Sequence, residues 1–310
     1  MTQPNPIPLI VIAGPTGVGK SETAVRVAEY LSGEVVSADS VQIYRHFDIG
    51  SGKPTPEFRQ RVPHHLIDFI DPNIPFSLWD FREEAHKIIA DITARGKVPI
   101  LTGGTGLYIK ATLENLKGGV AADPEMRRSL LRTLQEKGPD SMYHWLIRLD
   151  SRKAAGIHPN DTHRIIRGIE NAILPQQEKP VGATPCYKTD FFILSGSREK
   201  VYERIDKRVT IMIDKGWIDE TRNILAMGYG KECKPFQSVG YKQIIEYLDE
   251  GVPMDQLTAD IQRETRRYAK RQITWLNPTK NSIWLDTVSM ENGPEINADF
   301  IAGYFSGRGK

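Results

Sequence analysis

At 310 residues the chain can bury a sizeable core, as one large domain with an insertion or as two domains. Hydrophobic content of 39% and charged content of 26% exclude wholesale disorder, and a net charge of +2 does not by itself announce a nucleic-acid partner. The two cysteines, Cys186 and Cys233, form no CxxC pair, which excludes a disulfide framework and a zinc finger and suits a reducing cytosol. Met1 to Pro8 is proline-rich, with no basic region and apolar run of a signal peptide. Leu9 to Ala13 is too short to span a bilayer, so the expectation is cytoplasmic with no membrane partner.

Taken in order, Pro8 to Ala13 is an apolar, β-branched run stopped by glycine and reads as a buried strand. A helix is predicted over Lys20 to Leu31, with Ala24, Val27, Ala28 and Leu31 on one face. Glu34 to Ala38 reads as a second strand with Asp39 at its carboxyl end, followed by a loop rich in Gly, Pro and Thr through Gly50 to Pro56. Ser77 caps a helix striped by Phe81, Ala85, Ile88, Ile89 and Ile92, which Gly96 closes before a third strand, Val98 to Leu101. From about Gly118 to Pro185 the patterns are helical only, with Pro124 at one helix start and Asp161 as a cap. Phe191 to Leu194 resumes the sheet, a long helix follows from Arg198 to about Lys215, a further helix runs from Gly251 to about Leu276, and Ser282 to Leu285 is a last strand. Strands alternating with helices imply a parallel sheet covered on both faces. The fold class expected is therefore α/β: a P-loop NTPase-like core formed by residues 1–117 and 186–310, with an all-helical insertion at 118–185.

Gly14-Pro15-Thr16-Gly17-Val18-Gly19-Lys20-Ser21 matches G-x-x-x-x-G-K-[ST] between a strand and a helix, the context that gives the motif its meaning. The glycines let successive amides turn inward, and the helix N-terminus adds positive potential. Lys20 reaches the terminal phosphate, and Ser21 can ligand Mg²⁺. This pattern specifies a diphosphate or polyphosphate, not ATP in particular. A second Gly-rich turn, Gly103 to Tyr108, also sits at a carboxyl strand end; taken alone, its Thr105 belongs to a structural turn or contacts ligand. Asp39 caps a helix, holds Mg²⁺ or acts as a general base. The basic run Arg263, Arg266, Arg267, Lys270 and Arg271 is a solvated helix face, an RNA contact or, for some members and notably Arg271, a set of buried partners of core carboxylates.

Across nearly its whole length the chain resembles the bacterial tRNA dimethylallyltransferases. The resemblance is carried by Gly14 to Ser21, Asp39-Ser-Val-Gln-Ile-Tyr44, Asp48 to Pro54, Val62 to Asp68, Gly103 to Tyr108, Ile157 to Asp161 with Arg164 and Arg167, Val239 to Lys242, and Thr265 through Trp275. Gly52 and Val239 vary where only small or apolar residues are expected. The resemblance implies transfer of the dimethylallyl group of dimethylallyl diphosphate to N6 of adenine 37 of tRNA, with Mg²⁺ as cofactor. It implies that Asp39 is the general base and that Thr105, Lys20 and Arg208 stabilise the departing diphosphate. It places Asp39, Ser40, Val41 and Gln42, Thr105, Arg127, the stretch His163, Arg164, Ile165, Ile166 and Arg167, and the stretch Gln237, Ser238, Val239, Gly240, Tyr241 and Lys242 against the tRNA anticodon stem-loop. No obligate protein partner is implied. The helical insertion is the expected second jaw around RNA. On residues alone, Arg208 shares a polar stripe with Arg204 and reads as a surface ion pair rather than a catalytic group. The rival readings are a nucleoside kinase, a prenyltransferase acting on free AMP or ADP, and a P-loop binding module without catalysis.

Overall fold

The structure, a computed structural model, describes residues 6–114, 116, 123–174 and 185–307. Its elements in chain order are β1 (Ile7–Ala13), α1 (Lys20–Leu31), β2 (Glu34–Ser37), α2 (Pro56–Arg61), β3 (His64–His65), α3 (Leu78–Ala94), β4 (Pro99–Gly103), α4 (Gly106–Leu113), α5 (Pro124–Leu149), α6 (Ser151–Ala154), α7 (Thr162–Ile173), β5 (Tyr187–Ser195), α8 (Arg198–Asp214), α9 (Trp217–Ala226), a 3₁₀ turn (Lys234–Gln237), α10 (Tyr241–Glu250), α11 (Met254–Leu276), β6 (Ser282–Asp286) and α12 (Gly293–Gly307). The strands form one parallel sheet in the order β3-β2-β4-β1-β5-β6.

The chain divides into two compact units, Met1–Glu114 with Thr184–Lys310, and Asn115–Ala183. Residues 117 and 118, the expected start of the insertion, lie outside the described residues. In the first unit, the alternation of β1 assigns side chains to two cores. Leu9, Val11 and Ala13 join a cluster with Phe81, Ala85 and Ile89 of α3 and with Ile244 of α10. Ile10 and Ile12 join Ala24 and Val27 of α1, Val201 and Ile205 of α8, and Ala298 and Ile301 of α12. Helices therefore cover both faces, as the unbroken apolar strands require. Ser77 caps α3 through a reciprocal box with Asp80, and Gly96 turns the chain at φ 70° just beyond it.

Among the described residues of the second unit, the regular elements are all helices. Asp123 caps α5, which begins at Pro124 and kinks at Gly138 (φ 75°, ψ 168°) before Pro139. Asp161 caps α7 by accepting the Arg164 N–H at 3.1 Å. α5 and α7 bury Leu130, Met142, Leu146, Ile165, Ile166 and Ile169 together.

The sheet order places the candidate chemistry. β1, β4 and β2 are neighbours, so the P-loop, the second Gly-rich turn and Asp39 leave the same carboxyl edge from successive strands. At about 4.8 Å per strand, Asp39 and the P-loop emerge about 10 Å apart.

Candidate active site

Each part of the site is set by backbone geometry that its own sequence demands. Gly17 and Gly19 hold φ values of 86° and 91°, the left-handed region that side chains avoid, and so turn the loop into the N-terminus of α1. β2 and β4 meet where a Cβ on Gly103 would lie 2.2 Å from the Ala38 carbonyl oxygen; only glycine lets the two strand ends close. There the Thr105 N–H donates to Ala38 O at 3.2 Å, and Thr105 Oγ1 accepts the Ser40 N–H at 3.2 Å. Asp39 Oδ1 accepts the N–H groups of Val41 (2.8 Å) and Gln42 (3.2 Å), a turn that orients the carboxylate.

Beside them lies one cavity of about 610 Å³, lined by Thr16, Gly17, Gly19, Lys20 and Ser21 of the P-loop, by Asp39 and Gln42, by Gly103 and Gly104, and by Arg208 of α8; Thr105, next to Gly104 in the chain, is not among its lining residues. Apolar side chains complete it, among them Ile205, Val209, Met212 and Trp217. Lys20 Nζ donates to Pro15 O at 2.7 Å. Burial, with the Arg208 charge adding to it and the Asp39 charge opposing it, pulls the Lys20 ammonium down to about 7. Burial also lowers Arg208, against the pull of Asp39. Both side chains are closely surrounded by protein yet retain a water-facing surface, Lys20 half-buried and Arg208 exposed, and solvent moderates both shifts. Two cations and one carboxylate thus face a common space beside inward-turned amides. That arrangement has the charge to hold a multiply charged phosphate group, with the Asp39 carboxylate in the same space.

A family model described as IPP transferase matches residues 42–279, and one described as Isopentenyl transferase matches residues 7–68. The chain belongs to the IPP transferase family. A tRNA dimethylallyltransferase of Syntrophobacter fumaroxidans is 43% identical over 90% of this chain and 84% of its own length. The tRNA dimethylallyltransferase 2 of Syntrophus aciditrophicus is 42% identical over 95% and 97%. Among solved structures, the full-length tRNA isopentenylpyrophosphate transferase of Bacillus halodurans superposes with a TM-score of 0.72 at 37% identity, covering 98% of each chain. A eukaryotic dimethylallyltransferase acting on tRNA superposes at 0.73 with 27% identity, covering 95% of this chain and 79% of its own.

Within this IPP transferase, the residues expected to face tRNA divide by burial. Ser40, Val41, Gln42, Gln237, Ser238 and Val239 line the cavity, and His163, Arg164 and Lys242 are exposed. Ile165 and Ile166 are core residues of the second unit, and Tyr241 is fully buried with its hydroxyl donating to Glu220 at 2.5 Å. Their side chains support these stretches rather than facing outward; sequence proximity to Arg164 and Lys242 concealed that. Arg127 donates twice to Glu170, both at 2.7 Å, and Arg167 donates to it at 3.0 Å, with Glu170 fully buried. Gln42 uses its amide to hold Ser37, Ser51 and Gly52.

Arg208 is not the surface ion pair its stripe allowed: it lies in the cavity wall against Gly52, where any Cβ would strike its guanidinium at 1.9 Å. In the basic run of α11, Arg263 pairs with Asp260 at 2.6 Å, Arg267 with Glu264 at 2.6 Å and Arg266 with Asp206 at 2.5 Å, whereas Arg271 lines the cavity over the Tyr268 ring.

Residue-level reading of the sequence missed Tyr268, Gln272 and Glu220. Gln272 accepts the Thr16 N–H and donates to Gly104 O, both at 2.9 Å, and so ties the P-loop to the second Gly-rich turn. Burial and the Asp39 charge push the Tyr268 phenol up to about 12, opposed by hydrogen bonds with Thr105 and Gln272, so it stays neutral at pH 7. Glu220 accepts the N–H groups of Asp48, Ile49 and Gly50. Thr265, Tyr268, Arg271 and Gln272 share one face of α11, a spacing visible in the sequence but masked by the surrounding arginines.

Proposed function

We propose that this chain is a tRNA dimethylallyltransferase, moving the dimethylallyl group of dimethylallyl diphosphate to N6 of adenine 37 beside the anticodon and releasing diphosphate. The observation that carries the reading is the single cavity in which a P-loop, the cations Lys20 and Arg208, the carboxylate of Asp39 and an apolar wall meet.

In this reading the diphosphate lies against the amides of residues 14–21. The allylic C–O bond breaks with its electron pair passing to the bridging oxygen, and Lys20, Arg208 and the Thr105 hydroxyl meet the charge that develops there. The N6 lone pair forms the new C–N bond. Because that pair is delocalised into the ring, the amine is a poor nucleophile, and Asp39 accepts its proton as the bond forms. Tyr268, held neutral, keeps the Thr105 hydroxyl oriented. The adenine reaches the cavity by leaving the loop stack, which costs least for an unpaired base.

Mg²⁺ fits the residues present. The described residues contain no cluster of three or more His, Cys, Asp or Glu that could cage a metal, while Ser21 and Asp39 both face the cavity. One or two protein oxygens completed by substrate phosphates is the usual manner of holding Mg²⁺. When bound, it supplies positive charge to the diphosphate oxygens. Exposed Arg128, Arg132 and Arg164 of the helical unit supply charge for RNA phosphates. Among the described residues no helix is long and apolar enough to cross a membrane, and the reaction belongs in the cytoplasm with its tRNA.

The test is incubation of the protein with labelled dimethylallyl diphosphate, Mg²⁺ and unmodified tRNA, beside AMP and ATP-only controls. Label is expected in tRNA alone. Label in AMP, or phosphoryl transfer from ATP, would replace this reading with one of its rivals.

A further inference from the structure

The P-loop lines one part of the cavity; apolar side chains of α8 and the ring of Trp217 line another. α8 turns Ile205, Arg208, Val209 and Met212 to the cavity, a spacing that puts all four on one helix face. Ile205 marks the phosphate end, since a Cβ on Gly17 would lie 3.2 Å from its Cγ1. Met212 sits about 6 Å further along the helix axis than Arg208, at about 1.5 Å per residue. Just past the end of α8, Trp217 opens α9 and lines the same cavity, although only 2% of it is exposed.

Trp217 has no room to retreat. A Cβ on Gly50 would lie 1.9 Å from its Nε1, and a Cβ on Gly240 would lie 1.9 Å from its Cη2. The Tyr241 ring stands edge-on to it at 5.5 Å and 83°, and is fully buried itself. The indole N–H has no acceptor among the described residues, so bulk rather than hydrogen bonding accounts for a tryptophan at this position. Two glycines and a clamped tyrosine therefore hold a large flat side chain still in the cavity wall.

We infer that Trp217, with Met212 on the approach to it, sets the length of prenyl chain that is accepted: the wall admits one five-carbon isoprene unit and refuses a second. The inference rests on reading the cavity as the dimethylallyl diphosphate site. A fixed wall discriminates by overlap, which rejects a longer chain more strongly than a pocket with room to spare rejects a shorter one.

The experiment compares dimethylallyl and geranyl diphosphate as donors to tRNA, with wild-type protein and Trp217→Leu. Wild type is expected to use the ten-carbon donor at least ~100-fold less efficiently by kcat/KM. Trp217→Leu is expected to raise the geranyl-to-dimethylallyl ratio of kcat/KM by about tenfold or more, whatever its own five-carbon rate. An active Trp217→Leu protein with an unchanged ratio overturns the assignment. Should that variant not fold, inhibition of the wild type decides. Geranyl diphosphate is expected to compete no better than inorganic diphosphate, and clearly tighter competition means that the second unit is accommodated. Absence of five-carbon transfer by the wild type is a different result, which overturns the activity reading and this one with it.

Discussion

Asp39 and Lys20 face the same space with opposite charges and opposite tasks. Asp39 commits Oδ1 to the N–H groups of Val41 and Gln42, so in the proposed reaction proton acceptance falls to Oδ2. Asp39→Ala should lower single-turnover transfer by ~10²–10⁴ while tRNA affinity by filter binding stays within a few-fold; unchanged turnover removes Asp39 from its role. Lys20, drawn down towards about 7 by burial, holds its proton less firmly in the free protein than an exposed lysine does. A bound diphosphate raises it again, so binding takes up a proton, and affinity should fall as pH rises above about 7. Calorimetry in buffers of different ionisation enthalpy measures that uptake, and Lys20→Arg should abolish it. By the same linkage the free fold gains stability as pH rises from about 7 towards 10.5, because over that window the unfolded chain holds the extra proton.

Among the elements, α5 and α7 show how a basic stretch can be structural. Burial alone would push the Glu170 carboxyl up, but hydrogen bonds and charge from Arg127 and Arg167 outweigh it and hold the group below its ordinary value. Its contribution to stability is therefore present above the unfolded value of about 4.5 and is lost as pH falls through the lowered folded value. Removing one partner from a buried pair leaves charge uncompensated, so Arg127→Ala should cost about 2–3 kcal/mol, with Arg167 still in place. The readout is a lower urea midpoint with no change in slope; an unaltered midpoint would return Arg127 to a purely RNA-facing role. α11 shows the reverse: its cavity face, not its arginine-rich one, carries Gln272, the link between two loops from different strands.

For the molecule as a whole, tRNA and the prenyl donor should respond differently to salt. RNA binding through exposed arginines releases counterions, and its affinity should fall by about tenfold or more between about 50 and 200 mM salt. Donor binding within the cavity should fall far less, since its charge partners there are partly shielded from ions. Parallel filter binding and donor calorimetry at both concentrations compare the two. Equal slopes would place the donor's charges in open solvent.

Much of this architecture was legible in the chain. β1, β2, β4, β5 and β6 were readable because each carries an apolar run stopped by a turn residue, and α1, α3 and α8 because their stripes repeat at helical spacing. The P-loop was readable because its geometry demands glycine at fixed positions. β3, two residues long, carries no periodicity and exists only by pairing with β2. Strand order was equally hidden, and with it the juxtaposition of Asp39, Thr105 and Lys20, since local sequence does not state which strands will be neighbours. The sequence by itself determined most of the elements and the glycine-rich turn between β1 and α1, because backbone conformation and hydrophobic period are local. Only the tertiary structure decided that Arg127 guards a buried carboxylate, that Arg208 faces the cavity and that Trp217 lines it, because burial and charge pairing depend on segments far apart in the chain.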